Sequence, residues 1–335
     1  MRARALTLAV LVLLASLVGC LGFENSDESD NGEEITTSLK INHVQMKGTH
    51  NSYHVKPTGP TIRDYDYSHE PLDTQAEEFD VRQFEIDVWW SPGQQLRVYH
   101  NQYDRGTTCQ TLQQCLGVLL EWSDSSPNHV PLMIWIEPKE WTWESTDTTT
   151  VLEAQSMLED VEEQINLVWP RERIIIPDDV RGEHPDVSTA VTTSGWPLLD
   201  DSRGKAIFVL LGGGDLRDDY HAQFPNLEGA TMFTMSVANT PEAAIFSNTN
   251  PIEDGDEIRA LVEAGYIVRS RADSAGNGEA DNNDTERRDA AIEVGAHTIA
   301  TDYPSEVDGF EYWVELSIRC NPVSAPHDCS DEDIE

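Results

Sequence analysis

From residue 41 onward, short runs rich in β-branched and aromatic residues alternate with longer stretches whose apolar residues recur every three or four positions. This alternation constrains the fold more than any other feature, because strands joined by crossover helices run parallel and a parallel sheet must be covered on both faces. Strands are expected at residues 44–50, 83–89, 96–100, 131–137, 206–212, 232–237, 266–271 and 298–302. Helical periodicity marks 148–168, 253–264 and 284–294, the first through Leu152, Met157, Val161, Ile165 and Val168. Eight strands with intervening helices predict an α/β chain closed into a TIM-type (β/α)8 barrel, with residues 170–204 as an irregular excursion. A barrel of this kind takes roughly 250 residues, so a chain of 335 has room for a leader and a tail around one domain. No internal repeat is visible.

The ends of the chain read differently from its body. Arg2 and Arg4 precede an apolar run, residues 5–18, that is too short to span a bilayer comfortably, which predicts a signal peptide over residues 1–19. Leu17-Val18-Gly19-Cys20 resembles the bacterial-type lipobox, in which Cys20 is lipidated and becomes the new first residue; an ordinary small-residue cleavage site is the alternative. Residues 20–40 are acidic and nearly free of large apolar side chains, as in a flexible tether. The expectation is an exported monomer, lipid-anchored on the outer face of the membrane or secreted, with residues 41–335 forming one catalytic domain. The four remaining cysteines form two close pairs, Cys109 with Cys115 and Cys320 with Cys329. Neither has the C-x₂-C spacing of a zinc knuckle, and in an exported chain two disulfides are expected, the second clipping the tail.

Charge excludes a partner class. Lys and Arg total 22 against 61 Asp and Glu, a formal net charge of -39, and such a surface repels nucleic acid. Lysines are only five, and acid excess with few lysines suits a high-salt habitat where screening relieves self-repulsion. A merely acidic secreted protein would look the same.

The carboxyl ends of the predicted strands are unusually polar, and in a barrel those ends converge on one face. Side chains alternate along a strand, so Glu85 and Asp87 point the same way, as do Glu137 with Lys139 and Arg269 with Arg271. Neighbouring inward carboxylates repel unless a cation lies between them. Asn51, Glu85, Asp87 and Glu137 offer an all-oxygen set suited to one Ca²⁺ ion; Arg82 or Lys139 could instead neutralise the acids in a structural ion-pair network. His50 and His100 close adjacent strand ends, as a base and an acid flanking one scissile phosphodiester would. The other eight histidines are expected on the surface or in loops. Trp89, Trp90, Trp141, Trp143 and Trp313 are candidates for a lipid-facing rim or for ordinary packing.

The order His50-Asn51, Glu85-x-Asp87, His100, Glu137 is similar to the catalytic barrel of the Ca²⁺-dependent phosphoinositide-specific phospholipases C. The segments GTHNSYH, VRSRAD, NNDTERRDAA and TDYP, with the RCNP…C clip, resemble the bacterial branch of that family over roughly residues 41–329. The resemblance implies a PLC-like phosphodiesterase barrel, a phosphoinositide or related substrate, and Ca²⁺ held by Asn51, Glu85, Asp87 and Glu137. It also implies His50 as base toward the inositol 2-hydroxyl and His100 as acid toward the departing diacylglycerol oxygen. Lys139 would pair with a phosphate oxygen; Arg269, Arg271 and Asp302 would hold phosphate or ring hydroxyls, or form barrel ion pairs. With few basic residues to grip a polyphosphorylated headgroup, plain phosphatidylinositol is the expected lipid.

Two rivals stand beside this. A glycerophosphodiester phosphodiesterase shares the barrel, the E-x-D pair and two histidines, but opens with H-R-G where this chain has His50-Asn51-Ser52. A catalytically inactive inositol-phosphate-binding surface lipoprotein would be marked by loss of a histidine or an acid, and none is missing.

Overall fold

The computed structural model describes residues 38–90, 93, 95–139, 151–309 and 311–334. The leader, Cys20, the tether up to residue 37, Trp141, Trp143 and the first three residues of the 148–168 helix lie outside them. Among the described residues no helix is long and apolar enough to cross a membrane.

The described residues form ten strands: β1 Val44–Thr49, β2 Val81–Trp89, β3 Arg97–Val98, β4 Leu132–Lys139, β5 Ala206–Leu210, β6 Met232–Thr234, β7 Ile245–Ser247, β8 Ile267–Arg271, β9 Thr298–Thr301 and β10 Arg319–Cys320. Eight of them form one parallel sheet in the order β6-β5-β4-β2-β1-β9-β8-β7. Its two ends meet at a parallel bridge from Met235 to Ile245, so the sheet is a nearly closed (β/α)8 barrel.

Two memberships differ from expectation. The predicted strand at 96–100 is not a stave of the barrel: β3 pairs antiparallel with β2, Val88 opposite Val98 and Trp89 opposite Arg97. The segment between them is too short for a crossover helix, so the chain can only turn back on itself. The eighth stave is β7, three residues in a stretch where sequence periodicity predicts no strand. The excursion at 170–204 holds short helices Pro177–Arg181, Val187–Thr193 and Leu199–Ser202. Helices Leu72–Glu78, Leu112–Ser125 and Gly214–Gln223 were not anticipated. The predicted helices appear as Val151–Val168, Gly255–Glu263 and Glu286–Glu293.

Strand alternation divides the core. Phe84, Ile86 and Val88 of β2, Ile134 and Ile136 of β4, and Phe208 and Leu210 of β5 face outward into an apolar layer shared with Leu112–Ser125 and Val151–Val168. Val268 and Ile299 do the same on the opposite side with Ile258, Val262 and Ala291. Met46, Met133, Trp135, Val209, Phe233 and Ile267 fill the interior, where Val187, Val191 and Trp196 of the excursion join them. The Trp196 indole donates to Gly265 O at 3.0 Å, just before β8, so the excursion packs at the amino ends of the staves. Apolar filling below leaves the polar residues of each stave at the carboxyl end. Both disulfides form, Cys109–Cys115 beside the start of Leu112–Ser125 and Cys320–Cys329 in the tail, whose β10 pairs antiparallel with β1.

Candidate active site

At the end of β1 the chain turns through Asn51, whose φ of 45° is a left-handed conformation that asparagine tolerates better than most residues. The turn is pinned on both sides: His50 N donates to Thr301 O at 3.2 Å and Ser52 N to Glu85 O at 2.9 Å. Asn51 is buried, its amide donating to Tyr67 Oη at 3.2 Å.

The β2–β4 register sets Asp87 opposite Glu137 and Trp89 opposite Lys139. Carboxylate oxygens of Glu85, Asp87 and Glu137 lie within 4.8 Å of one another. Asp87 is fully buried, and neither of its oxygens meets a donor in full hydrogen-bond geometry, although the Tyr53 hydroxyl and the Lys139 ammonium both lie near it. The Lys139 ammonium lies 3.1 Å from Asp87 Oδ2 and 2.6 Å from Glu137 Oε1. Burial, then the nearby Glu137, pushes the Asp87 carboxyl well above the ordinary carboxylate range despite the ammonium. Burial would also raise Glu85, but Arg269, paired with its Oε2, and then His50 hold it below its usual value. Arg269 is itself buried and lies 5.3 Å from the centre of the Trp135 ring. Lys139 thus does neutralise acids, as the ion-pair alternative foresaw. Arg82 does not: it points outward, donating to Ala76 O and stacking on Trp122.

A buried, poorly satisfied carboxyl with two more carboxylates within reach, and Asn51 Oδ1 held beside them by Tyr53 Oη at 3.4 Å, make an oxygen-rich seat that a hard divalent cation would satisfy. The residues present therefore fit Ca²⁺.

His50 stands at the rim of this cluster, a quarter exposed, its Nε2 3.7 Å from Glu85 Oε1. Its Nδ1 faces Asp302 Oδ1 at 2.8 Å. The other Asp302 oxygen accepts from Arg271 at 3.0 Å and from Ala275 N at 2.8 Å. Burial opposes ionisation of Asp302, but Arg271, followed by His50, holds it far below the normal range. His100, on the turn after β3, faces Asp104 Oδ2 through Nδ1 at 3.0 Å. Contacts link the two histidines: His100 to Asp104, Asp104 to His54, the His54 ring to Tyr67 at 4.4 Å, and Tyr67 Oη to His50 Nδ1 at 3.4 Å.

Four histidines expected in surface or loop positions are buried instead: His54, His69, His129 and His297. His69 Nε2 donates to His50 O at 2.9 Å and steadies the β1 turn. His54, Tyr67 and Asp104 were missed as site residues. The only sequence signal for them was the second histidine of GTHNSYH, since Tyr67 and Asp104 lie in loops without periodicity. Trp89 packs on Tyr99 with ring centres 5.2 Å apart, and its indole donates to Tyr99 O.

The comparisons with known proteins agree with this geometry. The family model described as phosphoinositide phospholipase C, Ca²⁺-dependent, matches residues 39–94 and 91–322. A Ca²⁺-dependent phosphatidylinositol-specific phospholipase C from Streptomyces antibioticus superposes with a TM-score of 0.58 at 17% identity, over 80% of this chain and 96% of that one. The calcium-dependent phosphoinositol-specific phospholipase C of a Pseudomonas species gives 0.56 at 17% identity, over 84% and 95%. Its myoinositol complex gives 0.54 at 16% identity, over 79% and 91%. No curated protein sequence matches. At these identities the superpositions establish the barrel, and the family model adds the assignment: this chain belongs to the Ca²⁺-dependent phosphoinositide phospholipase C family, and is a phosphoric diester hydrolase.

Proposed function

We propose that the protein cleaves phosphatidylinositol-type lipids in a reaction requiring one Ca²⁺ ion, releasing diacylglycerol and a cyclic inositol phosphate. The observation that carries this reading is the buried Asp87 carboxyl grouped with Glu85 and Glu137 beside His50, three acids sharing one ammonium. Asn51, Glu85, Asp87 and Glu137 would hold the ion, which when bound supplies positive charge that acidifies the attacking hydroxyl and stabilises the phosphorane.

The chain's own groups divide the remaining work. The Asp302 carboxylate accepts a hydrogen bond from His50 Nδ1–H and so leaves Nε2 free as the base. As the inositol 2-oxygen bonds to phosphorus, its proton passes to His50 Nε2; as the bond to the glycerol oxygen breaks, His100 Nε2 supplies that oxygen with a proton. Arg271 and Ala275 N keep Asp302 ionised and in place, and Arg269 does so for Glu85. In this reading Arg269, Arg271 and Asp302 act by positioning, and Lys139 is the cation placed to meet a phosphate oxygen.

The rim supports a lipid substrate. Of the seven exposed large apolar side chains among the described residues, Ile62, Tyr103, Val237, Ile252 and Val307 sit on loops that follow strands at the active-site end. A lipidated Cys20 on a flexible tether would hold an exported monomer near such a surface. The test offers phosphatidylinositol, glycerophosphoinositol and a non-inositol diester, each with Ca²⁺ or EGTA, and follows products by phosphorus NMR. A cyclic inositol phosphate formed only with Ca²⁺ is expected. Glycerol phosphate released from many diesters would instead favour a glycerophosphodiesterase, and no turnover an inactive binding protein.

A further inference from the structure

Asp104 lies on the loop after β3, its side chain fully buried between two imidazoles. Oδ2 faces His100 Nδ1 at 3.0 Å, and both oxygens face His54 Nε2 at 2.9 Å. Asp104 and Asn101 exchange backbone hydrogen bonds of 3.1 Å, so the turn that carries His100 also fixes the carboxylate. The Asn101 amide nitrogen approaches His100 Nδ1 at 3.2 Å, but its orientation is set elsewhere, by Tyr65 Oη at 3.1 Å and by Tyr103 N donating to its Oδ1 at 2.9 Å. Burial opposes ionisation of Asp104, yet hydrogen bonds from His100 and then His54 hold its carboxyl below the ordinary range, so it is an anion.

An anion accepting from Nδ1–H fixes His100 in the form that turns Nε2 toward substrate. His54 has no other polar outlet: it is fully buried and its Nδ1 has no hydrogen-bond partner. A buried histidine spending its one hydrogen bond on a carboxylate that already serves another histidine acts through that carboxylate.

We infer that Asp104 and His54 are positioning residues for the leaving-group acid. Asp104 orients His100 and stabilises its protonated ring, and His54 clamps Asp104 from behind. The inference rests on His100 being that acid. When the phosphorus–oxygen bond breaks, the electron pair leaves with the glycerol oxygen and the proton comes from His100 Nε2. His100 ends neutral with Nδ1–H still on Asp104, which stays a carboxylate throughout.

The test compares inositol phosphodiesters carrying an alkyl alcohol with those carrying p-nitrophenol, since an alkoxide needs the proton and a nitrophenolate does not. Asp104→Asn is expected to lower kcat about 10²- to 10³-fold on the alkyl diester but less than about fivefold on the nitrophenyl one. KM and calorimetric Ca²⁺ affinity should stay unchanged. Equal loss on both diesters would overturn the inference. His100→Ala separates the two levels: selective loss there without selectivity in Asp104→Asn sinks the positioning role alone, whereas no selectivity in His100→Ala sinks the acid assignment and this inference with it. Should Asp104→Asn fail to fold, His54→Gln, which keeps a donor toward Asp104, is compared with His54→Leu, which does not. Selective loss in the leucine variant that glutamine restores supports the role; identical behaviour overturns it.

Discussion

Asp87→Asn separates a metal seat from a structural ion pair. In the metal-free protein the Asp87 carboxyl is fully buried and poorly satisfied, close to two other acids and to one shared ammonium. An unsatisfied buried group costs about 1–3 kcal/mol, and more when charged. The amide removes the penalty of ionising a buried carboxyl beside Glu137, and loses a 3.1 Å contact to Lys139, which keeps Glu137 at 2.6 Å. The balance is a gain of about 1–2 kcal/mol for the variant in EGTA, or about 2–5 °C in Tm for a domain of this size. With Ca²⁺ at 1,000-fold its Kd, the wild type gains about 4.1 kcal/mol. The variant, lacking one charged ligand, should gain less than about 1 kcal/mol. The order of stability therefore inverts: variant above wild type in EGTA, below it in Ca²⁺. Calorimetric melts in both buffers read this directly. A variant that melts lower in EGTA yet gains as much from Ca²⁺ would make Asp87 half of an ordinary ion pair with Lys139 and refute the reasoning.

Burial, against a hydrogen bond to Asn42 O, lowers His297 to about 4. Its Nδ1 already accepts from Val268 N at 3.0 Å, so a second proton has no acceptor. The folded value lies below the unfolded one of about 6.5, so this stabilisation is complete above pH 6.5 and is lost as pH falls toward 4. At pH 5 the loss is about 2 kcal/mol, and urea midpoints at pH 7.5 and 5 should differ less in His297→Gln than in the wild type. Arg269→Met strands the buried Glu85 charge and should cost about 3–5 kcal/mol by urea titration; a near-neutral change would remove the pair from the site's scaffold. Ile62→Ser with Tyr103→Ser should weaken turnover of vesicle lipid about tenfold while sparing soluble glycerophosphoinositol, and equal effects on both would exclude a lipid-facing rim.

The sequence exposed the parts of this fold that depend on long runs. Seven of the eight staves were legible because they carry continuous apolar stretches ending in polar residues, and the staggering of Glu85 with Asp87 and of Glu137 with Lys139 followed from strand alternation alone. β7 was not, because three residues cannot establish a period. β3 was misplaced because its run looks like a stave, and only its short distance from β2 reveals a hairpin-like return. Likewise the paired charges were visible but their pairing was not. Arg269 and Glu85 are far apart in sequence and meet only across the curved interior of the barrel, and Arg271 meets Asp302 only because β8 and β9 are neighbouring staves. Asp104 is four residues from His100, yet nothing local says that a buried histidine from the β1 turn meets it from the other side.

The most direct test is a crystal structure grown in Ca²⁺. The account predicts one ion at about 2.3–2.6 Å from oxygens of Asn51, Glu85, Asp87 and Glu137, with the Lys139 ammonium moved off Asp87. An ion bound elsewhere, or Lys139 still seated between Asp87 and Glu137 at saturating Ca²⁺, would contradict it.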